Sequence, residues 1–110
     1  MHKLFPVDLV FKALADPSRR HLLDRLYEDN GLTLNELCED FDMTRQALAK
    51  HLDLLEKARL VVIVWHGREK RHYLNPMPIQ QIHEDWIVKY ERHSLHALSQ
   101  LKRELMEKNE

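Results

Sequence analysis

Residues 43–58 read Met-Thr-Arg-Gln-Ala-Leu-Ala-Lys-His-Leu-Asp-Leu-Leu-Glu-Lys-Ala, and residues 59–74 continue Arg-Leu-Val-Val-Ile-Val-Trp-His-Gly-Arg-Glu-Lys-Arg-His-Tyr-Leu. Leu48, Leu52 and Leu55 recur at the three- and four-residue steps of a helix with one buried stripe. Thr44 stands where an N-cap belongs. The same phase turns Arg45, Gln46, Ala49 and Lys50 outward. From Leu60 to His66 the chain is apolar and β-branched, which reads as a strand. Gly67-Arg68-Glu69-Lys70 is the expected hairpin tip, and Arg71–Leu74 the return strand. A polar-faced helix over 45–58 therefore runs straight into a basic hairpin.

Upstream, Val7, Val10, Phe11 and Leu14 predict a first helix over 7–15. Asp16-Pro17 predicts a second start, with Asp as N-cap and Pro at the first helical position. Ser18, Leu22, Leu23 and Leu26 carry that helix to about Tyr27. Glu28-Asp29-Asn30-Gly31 is a loop, and Asn-Gly supplies positive φ. Thr33 and Glu36 form a capping box for a third helix that buries Leu34, Leu37 and Phe41. Downstream, Asn75-Pro76-Met77-Pro78 ends the hairpin. A last helix is expected over 78–106, with an apolar stripe of Ile79, Ile82, Trp86, Tyr90, Ala97, Leu98, Leu101 and Leu105. Three short helices cannot cover a stripe that long, so a second copy of the chain is the expected partner. The expected dimer face joins Val7 and Val10 to Ile79, Ile82, Trp86, Tyr90, Leu98, Leu101 and Leu105.

The order of elements predicts a fold that is mainly α with a two-stranded β-hairpin. It is a winged helix-turn-helix with a long C-terminal dimerisation helix. At 110 residues the chain is one domain, with a core over 7–75 and the last helix appended. Its net charge is −1, yet residues 43–74 carry seven Lys/Arg against three acids, so the reading segment is locally positive. A polyanion responds to that local potential. A single cysteine, Cys38, excludes an intrachain disulfide and fits a reducing compartment. The N-terminus has no apolar run of a leader, and Leu60–Trp65 is far too short to cross a bilayer. A cytoplasmic protein with no membrane partner is expected.

Arginine and glutamine carry planar donors and acceptors that match guanine and adenine edges, which makes Arg45 and Gln46 candidate base readers. Thr44 and Lys50 suit phosphates, which set register without reading sequence. Arg68 and Lys70 at the hairpin tip, with Arg71 and His72 behind, suit a phosphate backbone or a narrow minor groove. Each feature alone also fits a solvated surface or a guarded sheet edge; together they point to duplex DNA. Histidines His83, His93 and His96 on the last helix are candidate metal ligands only between two subunits, because His83 lies about 15 Å along the axis from the other two. Cys38 reads as a small core residue. No Gly-rich phosphate loop, nucleophile elbow or zinc-protease helix is present, so no catalysis is expected.

The runs Phe11 to Leu23 (FKALADPSRRHLL), Leu34 to Cys38 (LNELC), Met43 to Glu56 (MTRQALAKHLDLLE) and the Gly67–Tyr73 wing resemble the ArsR family of small bacterial repressors. The resemblance covers about Val10 to Leu74 and, more weakly, the last helix. It implies a dimer joined through the first and last helices, binding imperfect palindromes in operator DNA and repressing its own transcription. Matched to this sequence, the recognition positions are Thr44, Arg45, Gln46, Ala47, Ala49, Lys50 and His51, and the wing positions are Arg68, Lys70 and Arg71. The chain departs from the family's metal sensors. Cys38-Glu39-Asp40 keeps one cysteine of a Cys-x-Cys unit, and Gln81-Ile82-His83 lacks the aspartate of the zinc-type pair. Arg59 stands where the family commonly has Gly. The wing and the stretch to Ile79, with Trp86 and Lys89-Tyr90-Glu91, resemble a metal-independent branch. No cofactor is expected, and neither a small-molecule nor a metal effector is identified. Two rivals remain: a zinc-type switch through His83, His93 and His96, and a protein-interaction module without base readout.

Overall fold

Asp16 and Pro17 open the second helix as their chemistry requires: the Asp16 carboxylate accepts the Arg19 backbone N–H at 3.0 Å, and Pro17 fills the first helical position. The computed structural model describes residues 5–108; Met1–Leu4, read above for the lack of a leader, lie outside them. Four helices come first: α1 (Val7–Leu14), α2 (Pro17–Glu28), α3 (Leu34–Asp40) and α4 (Arg45–Lys57). Then follow β1 (Val61–His66), β2 (Glu69–Leu74), α5 (Met77–Ile82), a π-helical turn (His83–Ile87) and α6 (Val88–Lys108).

The caps carry the early helices. Thr33 and Glu36 make the full reciprocal capping box at α3. The Thr44 hydroxyl accepts the Ala47 N–H at 3.1 Å at α4. Arg19 and Arg20 turn back to the carbonyls that end α1: Arg19 donates to Ala13 and Lys12, and Arg20 to Leu14. Arg25 bonds Asp40 at 2.7 Å and ties α2 to the end of α3.

One core joins these elements. Leu22, Leu26, Leu37, Leu48, Leu55, Leu60 and Val10 are fully buried, with Leu52, Phe41, Val61 and Ile82 packed beside them. Cys38 is partly buried against this core, as its small apolar character predicts.

The strands pair antiparallel from Val61–Leu74 to His66–Glu69. The hairpin tip is therefore two residues, Gly67-Arg68, and β2 begins at Glu69 rather than Arg71. Gly67 holds φ at 62° while Arg68 is not in the left-handed region, the sign pattern of a II′ turn, and that turn suits the twist of a two-residue hairpin. A further bridge joins Leu32 to His72, so the loop before α3 lies along β2 like a short third strand.

The last helix is not the single α-helix expected over 78–106. It begins at Met77 and is broken by the π turn, where the Val88 N–H reaches the His83 carbonyl. The spacing explains the break. Ile82, Trp86 and Tyr90 are four apart, and each four-residue step drifts about 40° on an α-helix. A π turn holds more residues per turn and takes up that drift. Trp86 thereby meets Phe11 of α1 edge-on, ring centroids 5.7 Å apart, and meets Tyr90 at 5.6 Å. Val10 and Ile82 are buried inside the subunit's own core, so of the expected dimer face these two are already covered. Val7 is half-buried. Beyond Tyr90, α6 leaves the body. The radius of gyration is 19.3 Å, and the molecule is 69 Å long. A compact chain of this length would have a radius of about 13 Å.

Candidate nucleic-acid interface

α4 presents the expected polar face. Thr44, Arg45, Gln46, Ala49 and Lys50 are exposed, Ala47 is half-buried, and Leu48, Leu52 and Leu55 are turned inward. The helix stands beside the hairpin, and the two enclose a trough of about 640 Å³ with the N-terminal turn of α3 as its third wall. Thr33 and Asn35 come from α3, Arg45, Ala49 and Asp53 from α4, and Trp65, Arg68 and Lys70 from the wing.

The structure sorts the expected contacts into free and engaged ones. Arg68 and Lys70 are exposed beside the trough, and Gln46 and Lys50 on the outer face. The Arg45 guanidinium donates to the Asn35 side-chain oxygen across the α3–α4 turn, which holds it over the trough. His51 is not outward. It is half-buried, and its Nδ1 lies 3.3 Å from Arg19 Nη1. Arg71 is drawn back from the tip: its Nη2 donates to Glu69 at 3.1 Å and its Nη1 points to the Gly31 carbonyl at 3.5 Å. His72, expected behind the basic tip, is a core residue. Its alternation along β2 points it at the body, where Nδ1 meets the Leu32 carbonyl at 2.8 Å. Burial in that site pushes its pKa down, partly opposed by the hydrogen bond to Leu32.

Sequence reasoning missed three structural ties here. Arg19 links α1 to α4, Asn35 steers Arg45, and Asn30 accepts the Leu74 N–H through its side chain at 2.8 Å. None carries a local signal, because His51, Arg45 and Leu74 lie 32, 10 and 44 residues from their partners. Trp65 belongs by sequence to an apolar strand, yet it is 61% exposed and lines the trough.

Within one chain the last-helix histidines His83, His93 and His96 are not gathered at one point. Among the described residues no three His, Cys, Asp or Glu side chains stand close enough to share an ion. His83 Nε2 instead lies 3.3 Å from Glu91, and His93 and His96 are exposed on α6. Among the described residues no helix is long and apolar enough to cross a membrane.

This arrangement agrees with the relatives of the chain. Residues 14–64 match a family model described as a helix-turn-helix domain. The HTH-type transcriptional regulator YuzN of Bacillus subtilis, itself uncharacterised, is 43% identical over 73% of this chain and 94% of its own length. The transcriptional repressor SdpR of the same organism is 31% identical over 64% of this chain and 78% of its own. The structure of an ArsR-like transcriptional regulator from Rhodococcus superposes with a TM-score of 0.71 at 28% identity, covering 89% of this chain and 91% of that one. With its helix-turn-helix, its two-stranded wing and its long C-terminal helix, the chain belongs to the ArsR family of transcriptional regulators.

Proposed function

We propose that this chain is a cytoplasmic, homodimeric repressor that reads a palindromic operator, its own promoter included. The observation that carries the reading is the exposed row Thr44, Arg45, Gln46 and Lys50 on α4, set beside a wing whose tip carries Arg68 and Lys70. Arg45 and Gln46 suit base edges in the major groove, and Thr44 and Lys50 the flanking phosphates. The first-turn N–H groups of α4 have no partner within the helix, and they add partial positive charge there. Arg68 and Lys70 suit the backbone or the neighbouring minor groove. Arg71 and His51 are held by their intramolecular partners and contribute by fixing the wing and α4.

Dimerisation is supported by the uncovered stripe. Tyr90, Leu95, Leu98, Leu101, Leu105 and Met106 are each more than half exposed, and Trp86 and Ile79 are each 40% exposed. A second subunit's stripe is the simplest cover, and two reading helices one helical turn apart are what a palindrome requires.

The test is fluorescence anisotropy on DNA from upstream of the chain's own gene, against scrambled DNA at physiological salt. A preference of about 10³-fold or more is expected. Arg45→Ala should lose about 1–3 kcal/mol on the operator and much less on scrambled DNA. Equal, weak binding to both duplexes would overturn the reading in favour of a protein-interaction module.

A further inference from the structure

We infer that Trp65 is a DNA-backbone contact: an indole in the trough between α4 and the wing that packs on deoxyribose and donates its N–H to a phosphate. This rests on the DNA-reading function proposed above and adds to it a contact that carries no charge.

Alternation along β1 fixes where the indole points. Val61, Ile63 and Trp65 share the face turned to the body. Val61 is buried and Ile63 is packed against the core, but the hairpin outruns the helices, so Trp65 is 61% exposed on that same face. It therefore looks across the trough towards Arg45 and Ala49 rather than out to the far side of the wing. Lys70 stands directly opposite it on β2, and Arg68 is at the adjoining turn. Among the described residues the indole N–H has no hydrogen-bond partner.

The charges in the trough are arranged for an anion. Of the acids beside it, Asp53 is paired with Lys57 at 2.9 Å and Glu69 with Arg71 at 3.1 Å. Arg45, Arg68 and Lys70 are left facing Glu56. Duplex geometry supplies the anion. When a helix fills the major groove and a hairpin tip meets the adjoining minor groove, the sugar–phosphate strand dividing those grooves passes between them. An amphipathic ring with one donor suits that strand: its face covers the sugar, and its N–H meets the phosphate. A contact to the backbone holds register without reading sequence.

The experiment titrates the full chain with its upstream DNA and with a scrambled duplex, at several salt concentrations. Trp65→Ala should weaken binding roughly 10-fold on both duplexes, the scale of a hydrogen bond to a charged group. The ratio between the duplexes should not change. The slope of log affinity against log salt should also stay unchanged, because no counterion-releasing charge is lost, whereas Lys70→Ala should lower it by about one. Trp65→Phe keeps the ring and loses the N–H, so it should fall between. In a Trp86→Phe background Trp65 is the one tryptophan, and its emission should change when DNA is added. Thermal melts of Trp65→Ala and Trp65→Phe check the fold; if the alanine variant is destabilised, the phenylalanine variant and the emission decide. Wild-type specificity with unchanged Trp65→Ala affinity and a silent emission would overturn the inference. So would a collapse of the specificity ratio in Trp65→Ala, which would make the residue a base reader. Failure of the wild type itself to prefer its upstream DNA would remove the DNA-reading function and this inference with it, and that failure is visible without any variant.

Discussion

Gly31 holds φ at 83°, and a Cβ built on it would stand 2.9 Å from the Tyr73 ring. Its N–H also donates to the His72 carbonyl, so the backbone cannot retreat without losing that bond. Gly31→Ala should therefore destabilise the domain by about 2–4 kcal/mol, from the left-handed backbone and the overpacked ring together; a urea titration measures it. A loss within about 0.5 kcal/mol would show that the loop yields freely. His72, the next link in that ladder, gives the domain a pH dependence. Its folded pKa is held below the ordinary histidine value by burial, with Lys70 lowering it further and Glu56 and the Leu32 carbonyl opposing. The unfolded chain then binds the extra proton more readily. The stability from neutral His72 is full above about pH 6.5 and falls as the pH drops from there through the lowered folded pKa, by at most about 1.4 kcal/mol per unit. Denaturant midpoints between pH 7.5 and pH 5 should fall, and His72→Gln should flatten that part of the slope. An unchanged slope in the variant would place the dependence elsewhere.

At the scale of elements, what the sequence announced and what it concealed divide by distance along the chain. Asp16-Pro17, Thr33 with Glu36, and Thr44 are local devices, and each caps the helix it announced. The stripe Leu48, Leu52 and Leu55 placed the outward face of α4 without any knowledge of its neighbours. The inward turn of His51 depends on Arg19, 32 residues away, and Arg71 and His72 reach Gly31 and Leu32, 40 residues away, although Glu69 beside Arg71 and the alternation along β2 are local contributions. The end of α4 lies between these cases. Arg59 sits at φ 66°, its N–H bonding the Glu56 carbonyl while the Leu60 N–H bonds Leu55. That is a Schellman cap with a side chain where glycine is favoured. The departure from the family pattern was visible, and the structure shows that the cap forms in spite of it, steadied by Asn75, which donates to the Arg59 carbonyl at 2.8 Å. Arg59→Gly should raise stability by up to about 1 kcal/mol, relief of the left-handed strain outweighing the added freedom of the unfolded chain. A lowered melting temperature would contradict this.

For the whole molecule, the winged-helix body is closed and α6 is not. Beyond Tyr90, α6 carries Leu95, Leu98, Leu101, Leu105 and Met106, each more than half exposed, and an isolated amphipathic helix of this kind gains its stability from packing. Leu101→Glu should therefore convert the proposed dimer to monomer and weaken operator binding far more than it weakens each half-site contact. Sedimentation velocity reads the first effect and anisotropy the second; a variant that stays dimeric would place the interface elsewhere. The length and apolar character of this helix were legible in the sequence. The π turn has no such mark, because a step of four, four between Ile82 and Tyr90 also occurs on unbroken α-helices. One side chain in the body bears on how such an assembly is tuned. Arg19 stitches the carbonyls that end α1 to the ring of His51 on α4, so the first helix and the helix with the exposed polar row share a rivet. The exposed polar row of α4 is in this way seated on α1 as well as on its own leucines, and whatever shifts the first helix carries that row with it.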